Sequence, residues 1–524
     1  MTAEIDSSLF GDVTAGLYAT NAFRVSGLPV NATSRDIRRR SEQLRVMAQL
    51  GGDSATGPDS GQGVLPLAER PGATAIADAL ERLRDPARRL VDELFWFWPG
   101  QDDKHDEAMA ALRRDDPDAA MNIWVSVSGA ARLEAAVAVH NMAVLAHVRA
   151  LDKPGLSDSV TLQWQLALTL WAGVAASDVF WDLVTTRIQE MSDPRLTQDT
   201  ARQMREALPS VVLSINAQLA LQASREGRLA DTTGHVSLMR DSAFGAEAAN
   251  RVLREHAEPI LGQLRSMSQD AERTADGDPR RGADAARQLV AQSEPLIRDV
   301  RLILAADHPL VQGIKDEIAS VAMRCTVRYV NETGDLEAGR EVLGLALPIA
   351  VTEAARKRIR ENQAAIKEQE ERRRLVLLYS TCWFDKRNQA TAADVYPQRM
   401  YGNVVRSYVS ARTTRVTWKA QTVAVPRCAA CAKKHATRRH WTATAGWSSV
   451  AVVIVLVVVS FATGAAPLGV ILLFCGLGFA IPLAVTLSRV SGIPAAERRV
   501  LREFEPVKTL LAGGWQFGAK PRTR

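Results

Sequence analysis

The chain has 524 residues, 47% hydrophobic and 24% charged, which excludes a fully disordered chain and allows several globular domains. The formal net charge of +6 is small for this length, and basic residues are not interleaved densely with aromatics, so nucleic acid is not an expected partner. Five unevenly placed cysteines do not suit a secreted disulfide framework, and the opening MTAEIDSSLF lacks the pattern of a secretory signal.

Residues 1–100 are predicted to form a small helical bundle with a flexible insert at 51–72. The first long helix follows Thr33 or Ser34, either of which can cap it, and reads SRDIRRRSEQL at its start. The insert is rich in Gly, Ser, Asp and Pro, a composition typical of loops.

Two further helices are predicted over 73–84 and 86–97. Asp85-Pro86 separates them, because Asp is a favoured N-cap and Pro a favoured first helical residue. The last helix ends in Phe95, Trp96, Phe97 and Trp98, and a bundle this small cannot bury all four rings. We therefore expect some of these aromatics to dock onto the following domain.

Two stretches of this bundle, NAFRVSGLPVNATSRDIRRRSEQL and ALERLRDPARRLVDE, resemble the opening and closing helices of J-domain co-chaperones. The resemblance covers only this first unit and implies a J-like fold, with a heat-shock-seventy chaperone as a candidate partner. The family's His-Pro-Asp tripeptide is missing, since no His lies between Met1 and Lys104 and the nearest text is Gly57-Pro58-Asp59. The prediction is a J-like bundle without ATPase-stimulating activity; an unrelated three-helix bundle is the alternative.

Residues 101–375 are predicted to be helical throughout, with apolar residues at helical spacing. His140 and His147 fall on one helix face, where we interpret them as packing or pocket-lining residues rather than ligands. Helix pairs such as DAAMNIW with AVAVHNMAVLAHV resemble tetratricopeptide repeats, although the chain lacks a clean period of about 34 residues. The resemblance implies a surface that binds protein partners. Mixed charge over 353–374 predicts a solvated helix.

Residues 376–440 are predicted to form a small β domain, because β-branched and aromatic residues alternate there with period two. Cys382-x2-Asp385 and Cys428-x2-Cys431 lie at the edges of this region. Two x2-spaced pairs joined by strands resemble a zinc ribbon, in which the sheet folds back and brings the pairs together.

The residues of this region allow three ligand sets for a structural zinc ion. The preferred set is Cys382, Cys428, Cys431 and His435, and Asp385 is the alternative fourth ligand. A local set would use Cys428, Cys431, His435 and His440. Four protein ligands leave no open position for water, so the site would be structural. A metal-free ribbon and a redox dithiol are the other interpretations.

No charged residue lies between Trp441 and Ser488, a stretch too long for one membrane helix. A break at Thr463–Pro467 predicts two spans, 447–463 and 467–488, joined as a hairpin. The spans contain no ionisable residue, so we interpret the hairpin as an anchor in the inner membrane; a buried hairpin in a soluble core is the alternative. The positive-inside rule places both termini in the cytoplasm. The flanking cations are Lys433, Lys434, Arg438, Arg439, Arg489, Arg498 and Arg499.

Residues 489–524 are predicted to form a cytoplasmic amphipathic tail that either lies on the bilayer or packs on the ribbon, and its arginines favour the bilayer. The sequence contains no phosphate-binding, dinucleotide or hydrolase motif, so no enzyme is expected. The prediction is a mainly α, membrane-anchored cytoplasmic interaction or scaffold protein. Its J-like unit suggests a relation to chaperones. The alternative is a membrane-tethered sensor that responds to zinc or oxidation.

Overall fold

The computed structural model describes residues 9–49, 63–127, 132–410, 413–464, 466–488 and 493–517. The chain divides into two compact units, Met1–Gln363 and Ala364–Arg524. Helices predominate in the described residues, and a small antiparallel sheet lies in the second unit, which confirms the mainly α class. The finer five-part division of the chain remains a prediction.

Besides the short 3-10 helix Pro279–Arg281, the first unit contains sixteen α-helices in the described residues, and a seventeenth crosses the boundary between the units. They are α1 Leu17–Thr20, α2 Ala22–Ser26, α3 Ser34–Gln49, α4 Ala73–Arg82, α5 Pro86–Leu94, α6 Asp103–Arg113, α7 Pro117–Val127, α8 Arg132–Leu151, α9 Asp158–Ala176, α10 Asp178–Met191, α11 Gln198–Arg225, α12 Leu229–Arg240, α13 Ala246–Gly277, α14 Gly282–Leu304, α15 Pro309–Thr333, α16 Leu336–Ala346 and α17 Glu353–Ser380.

The N-terminal bundle is built from α1 to α5, and its helix ends follow capping rules. The Asp85 carboxylate accepts hydrogen bonds from the backbone N–H groups of Ala87 and Arg88 at 2.9 and 3.1 Å, with Pro86 at the first helical position. The Asp-Pro restart is therefore where the sequence predicts it. Most of the predicted insert, including Gly57-Pro58-Asp59, lies outside the described residues.

All four aromatic residues that follow α5 are buried. The Phe95 ring lies 5.3 Å from Trp171 on α9, measured between centroids, and the Phe97 ring stacks on Trp124 of α7 at 5.7 Å. Trp98 lies 5.4 Å from Phe180 on α10. These rings fill the space between the bundle and the following helices, as expected from their number.

His140 and His147 of α8 are buried in this same region. The His140 Nε2 atom donates to the carbonyl of Leu94 at 2.7 Å. The His147 Nδ1 atom accepts hydrogen bonds from the Tyr18 hydroxyl at 3.1 Å and from the Trp171 indole N–H at 3.2 Å. Both histidines therefore join the bundle to the helices that follow, in agreement with a packing role.

The second unit contains a long β-hairpin of β1 Tyr396–Ser410 and β2 Thr413–Val425, with register running from Tyr396↔Val425 to Ser410↔Thr413. A short strand at the far end of the chain, β3 Gln516–Phe517, pairs antiparallel with β1 at Met400 and Tyr401. The sheet order is β2-β1-β3.

The C-terminal tail folds back onto this sheet. Its helices, α21 Ala495–Glu503 and α22 Glu505–Ala512, bury Leu501, Phe504 and Val507 against the apolar side chains of the strands. The interpretation of this face as a bilayer-binding surface is therefore wrong. An amphipathic pattern shows that a face is covered, and here a sheet far away in sequence covers it.

An apolar helical hairpin is inserted between the strands and the tail. Its first arm, α18, is Ala429–Ala462, and the chain turns at Gly464, whose φ of +80° favours glycine. The returning arm consists of α19 Ala466–Ile471, a π-helical turn over Leu472–Gly476, and α20 Leu477–Ser488.

The two arms of the hairpin pack against each other in antiparallel fashion. A Cβ atom placed on Gly446 would lie 2.9 Å from the Cα atom of Ala484, and one on Gly476 would lie 2.9 Å from Val453 Cγ1. Val450, Ala480 and Ala484 form the buried core between the arms. Small residues therefore allow the helices to approach closely.

Among the described residues, one continuous helix, α18, is long and apolar enough to cross a membrane, whereas the sequence predicts two spans. The returning arm contains a shorter apolar helix, Leu472–Leu487, which begins with the π turn. Helices α9 and α10 together pass the same test but meet at 70°, and their large aromatic side chains are buried in the first unit. Of the two predicted spans, α18 alone is thus of spanning length in the part of the chain that the structure describes.

Candidate metal centre

The first half of the site is a tight turn over residues 382–388, directly after α17. The backbone N–H of Cys382 donates to the carbonyl of Asn388 at 2.8 Å, and the N–H of Lys386 donates to the Cys382 carbonyl at 2.9 Å. The Asp385 Oδ1 atom accepts from the N–H groups of Arg387 and Asn388 at 3.0 and 3.1 Å. These bonds hold the Asp385 carboxylate in place and leave its Oδ2 atom to face the cysteines.

The second half of the site is the beginning of α18. Cys428 is the N-cap residue, and its sulfur accepts a hydrogen bond from the backbone N–H of Cys431 at 3.4 Å. The turn lies against this helix start because the N–H of Trp383 donates to the carbonyl of Pro426 at 2.9 Å. The two halves meet because β1 and β2 return the chain to its starting point, as a ribbon requires.

The structure brings Cys382, Asp385, Cys428 and Cys431 together, with one ligand atom from each within 4.8 Å of the others. The Asp385 Oδ2 atom accepts from the Cys428 thiol at 3.2 Å and from the Cys431 thiol at 3.5 Å. Cys382 and Cys428 are buried, whereas Asp385 and Cys431 are half-buried. Three thiols and a carboxylate thus converge on one point and could hold a metal ion.

The surroundings of the site favour an ionised carboxylate. The side-chain amide of Asn388 donates to Asp385 Oδ2 at 2.8 Å and, with the backbone N–H groups of the turn, holds the pKa of Asp385 well below its usual range. Burial raises the pKa of the Cys428 thiol. The carboxylate is therefore ready to bind a cation, while the thiols release protons when a metal enters.

His435, the preferred fourth ligand in the sequence, lies outside this group. Its Nδ1 atom is 3.3 Å from a guanidinium nitrogen of Arg427, which can only donate, so Nε2 carries the proton and donates to Glu497 at 2.5 Å. The edge of Phe384 packs on the imidazole with centroids 4.9 Å apart. The imidazole of His435 is therefore hydrogen-bonded to Glu497 on α21 and does not face the four clustered side chains. His440 is exposed further along α18 and is not part of the group either.

Glu497 is the functional neighbour that the sequence does not indicate. It also forms an ion pair with Lys434 at 2.8 Å, so one carboxylate holds two consecutive residues of α18. Its position follows only from the packing of the tail on the sheet. The spacing of Cys431 and His435 cannot reveal a partner that lies beyond the apolar hairpin.

The donor set fits a structural zinc site in composition. Thiolates are the preferred soft ligands of Zn²⁺, and a carboxylate oxygen is an accepted fourth ligand. All five cysteines of the chain are free thiols in the structure. Comparison of the chain with protein-family models, with curated proteins and with solved structures gives no match.

Proposed function

We propose that this protein is a membrane-anchored interaction protein, in which the apolar hairpin is embedded in a bilayer and the helical first unit binds protein partners. The observation that carries the proposal is the construction of the small β domain. Its chain segments come from both sides of the hairpin, and the hairpin presents an uncovered apolar surface.

The surface of the hairpin supports insertion into lipid. Only 22% of the most apolar stretch of α18 is buried, whereas the core helix of a soluble protein would be mostly covered. On the returning arm, Phe474 is 72% and Phe479 is 82% exposed. Contiguous exposure of large apolar side chains is unfavourable in water and marks a surface that another apolar phase covers.

The small domain supports an arrangement with both ends of the hairpin on one face of the bilayer. The Trp383 indole N–H, before the hairpin, donates to the carbonyl of Val500 after it at 2.7 Å. Arg374 and Glu505 form an ion pair across the same division, and β3 pairs with β1. A folded domain made of both segments stays on one side of a membrane. The hairpin must then enter and leave the lipid on the same face, with both arms crossing or both turning back within the lipid.

The flanking cations support the cytoplasmic face. Lys433, Arg438 and Arg439 are exposed on the part of α18 that precedes Trp447. Arg498 and Arg499 follow the hairpin, whereas Arg489 lies outside the described residues. Under the positive-inside rule this distribution keeps the small domain, and with it both termini, in the cytoplasm.

The helical first unit is the candidate surface for protein partners. Its helices expose large apolar side chains, among them Leu162 and Leu166 one turn apart on α9. The J-like bundle adds a heat-shock-seventy chaperone as a candidate partner by fold analogy, without the tripeptide needed for ATPase stimulation. A second function, a membrane-tethered zinc- or redox-responsive regulator, is favoured by three clustered free thiols, two at the start of α18 and one at Cys382 on the turn before β1.

Membrane fractionation of the full-length protein tests the proposal. We expect the chain to stay in the pellet after washing at alkaline pH and to dissolve in detergent, with tags at both ends protected from protease in intact cells. Replacing Val455 and Val458 by Arg should move the protein to the supernatant, because each charge opposes burial in lipid by about 2.5–3.5 kcal/mol. The matched control places the two Arg residues at Leu375 and Val376 of α17, outside the hairpin.

Two outcomes would refute the anchor. One is recovery of the wild-type chain in the soluble fraction without detergent. The other is the appearance of the two tags on opposite faces of the membrane, because the split domain could not then form. Affinity purification from detergent extracts, with and without a chelator, separates the two candidate functions: partner binding by a scaffold persists without metal, and binding by a metal-responsive regulator changes.

A further inference from the structure

We infer that Cys382, Asp385, Cys428 and Cys431 bind one thiophilic divalent cation of the zinc class, and that this ion locks the start of the membrane arm onto the small domain. The ligand set differs from the preferred sequence set in using Asp385 and not His435. Metal binding itself does not depend on the membrane anchor proposed above. The claim that the ion locks a membrane arm does rest on that anchor.

The convergence of the four side chains is the first support. The thiols of Cys428 and Cys431 both point at the same oxygen, Asp385 Oδ2, and the Cys382 sulfur lies within 4.8 Å of all three ligand atoms. The four residues come from two rigid elements, a hydrogen-bonded turn and a helix N-terminus. A single cation at the shared point would replace these weak thiol hydrogen bonds by four direct bonds.

The charge around the group is the second support. Three thiolates and a carboxylate carry four negative charges, of which a divalent ion neutralises two. Basic residues adjoin each half of the site in sequence: Lys386 and Arg387 follow Asp385, and Arg427 precedes Cys428. The backbone N–H of Cys431, directed at the Cys428 sulfur, further stabilises a thiolate there. The site is therefore suited to an anionic metal–thiolate complex.

The position of the group defines what the ion would join. Cys428 and Cys431 form the N-cap and first turn of α18, the 34-residue helix that continues into the apolar hairpin. Cys382 and Asp385 lie on the turn between α17 and β1. Opposite the ion, Glu497 pairs with Lys434 and His435 one turn further along the helix. The ion and Glu497 would thus clamp the same helix from the two segments that enclose the hairpin.

The carboxylate ligand sets how firmly the ion is held. Because Asp385 Oδ1 is occupied by two backbone N–H groups, only Oδ2 is available, and coordination by Asp385 is monodentate. A single carboxylate oxygen is a harder, weaker partner for zinc than a fourth thiolate. The ion should therefore exchange faster than it would from a site with four cysteines.

Metal titration of the detergent-solubilised full-length chain tests the ligand set. We expect one equivalent of Zn²⁺ after loading and dialysis, and Co²⁺ should give the intense visible absorption of a tetrahedral thiolate site. Asp385→Asn, which keeps the shape and the Oδ1 acceptor, should lower Zn²⁺ affinity roughly 10-fold or more. Asp385→Cys should slow release of the ion to a chelator.

His435→Asn is the matched control, because His435 lies one helical turn from Cys431 but outside the group. It should leave the zinc content and the cobalt spectrum unchanged. Loss of metal in the His435 variant with retention in Asp385→Asn would overturn the ligand set. Absence of bound Zn²⁺ and Co²⁺ from the wild-type chain would overturn the site itself.

Hydrogen exchange tests the lock. In protein reconstituted into lipid nanodiscs, chelation should reduce amide protection over 429–436 and over 382–388, while protection in α8 of the first unit stays constant. Unchanged protection at the start of α18 after complete metal removal would overturn the lock and leave the ligand set standing. A chain that does not enter nanodiscs at all would instead refute the anchor, so the two failures are distinguishable.

Discussion

The buried carboxylate of Glu93 accepts two hydrogen bonds from the guanidinium of Arg187, each at 2.8 Å. Arg89, one turn before Glu93 on α5, donates to the same carboxylate at 2.7 Å and also to the backbone carbonyls of Val30 and Ala32. Glu93 belongs to the N-terminal bundle and Arg187 to α10, so this ion pair joins the bundle to the helices that follow it.

Replacing Glu93 by Gln should destabilise the first unit strongly. The substitution leaves the largely buried Arg89 guanidinium without a counter-charge and Arg187 with only its ion pair to the exposed Glu190, and loss of one partner of a buried ion pair costs about 3–5 kcal/mol. Chemical unfolding followed by tryptophan fluorescence measures the change, since Trp96 and Trp98 are buried a few residues after Glu93. Arg195→Gln, which breaks an exposed pair with Asp85, is the control and should have a much smaller effect. Equal effects of the two variants would contradict this role of Glu93.

The stability of the first unit should fall on acidification because three of its histidines are buried as neutral rings. Burial lowers the pKa of His140 to about 4, of His147 to about 3 and of His235 to about 4, against an ordinary value of 6.5. Below pH 6.5 the unfolded chain binds protons that the folded chain does not, so stability present at neutral pH is lost as the pH falls. Each histidine contributes about 1.4 kcal/mol per pH unit within its window.

The effect of Asp92 on the pH dependence of stability has the opposite sign and offsets that of one histidine. Burial raises its pKa from 3.8 to about 6 in spite of the ion pair with Arg82, so between these values the folded chain binds the extra proton. The net loss on acidification should therefore correspond to about two histidines. Unfolding midpoints measured from neutral pH to about pH 4 give the slope, which His147→Asn should reduce. His440→Asn, at an exposed position, is the control, and an identical slope in both variants would refute the assignment.

The local features of the fold were readable from the sequence where they depend on neighbouring residues. The Asp85-Pro86 restart, the alternation that predicts β1 and β2, and the return of the two x2-spaced pairs to one place all appear in the structure. The surplus of aromatic residues after α5 correctly indicated a docking face. Each of these inferences uses residues within one element or one connection.

The features that were not predictable depend on the tail. Whether an amphipathic segment covers a bilayer or a sheet is decided by what lies opposite, and Met400 and Val425 are opposite α21 and α22 only in the folded chain. The choice between the two candidate fourth ligands has the same cause. Asp385, the alternative in the sequence, lies with the three cysteines, whereas His435 is hydrogen-bonded to Glu497 from across the hairpin. Hydropathy also could not show the π turn over Leu472–Gly476 in the returning arm.

Phe504→Ala should detach the tail from the small domain. Phe504 is completely buried, with its ring 5.0 Å from Trp383 and 5.8 Å from Tyr379, so truncation should cost about 3–5 kcal/mol. Limited proteolysis of the detergent-solubilised chain should then release fragments ending within residues 489–517, which the wild type resists. Leu377→Ala removes a large side chain exposed on α17 of the same unit and should leave the proteolysis pattern unchanged. Resistance of the Phe504 variant would show that the tail is held without this core.

Gly446→Val should separate the two arms of the hairpin. The new side chain would begin 2.9 Å from the Cα atom of Ala484, and because the obstacle is backbone, the helices must move apart. Gly478→Val is the matched control, since no atom lies within 4 Å of a Cβ there and both substitutions place the same residue in an apolar helix. The temperature at which half of the detergent-solubilised protein aggregates should fall for Gly446→Val only. A similar fall in both variants would attribute the effect to valine in the helix, and the close approach of Gly446 to Ala484 would then have no role in holding the arms together.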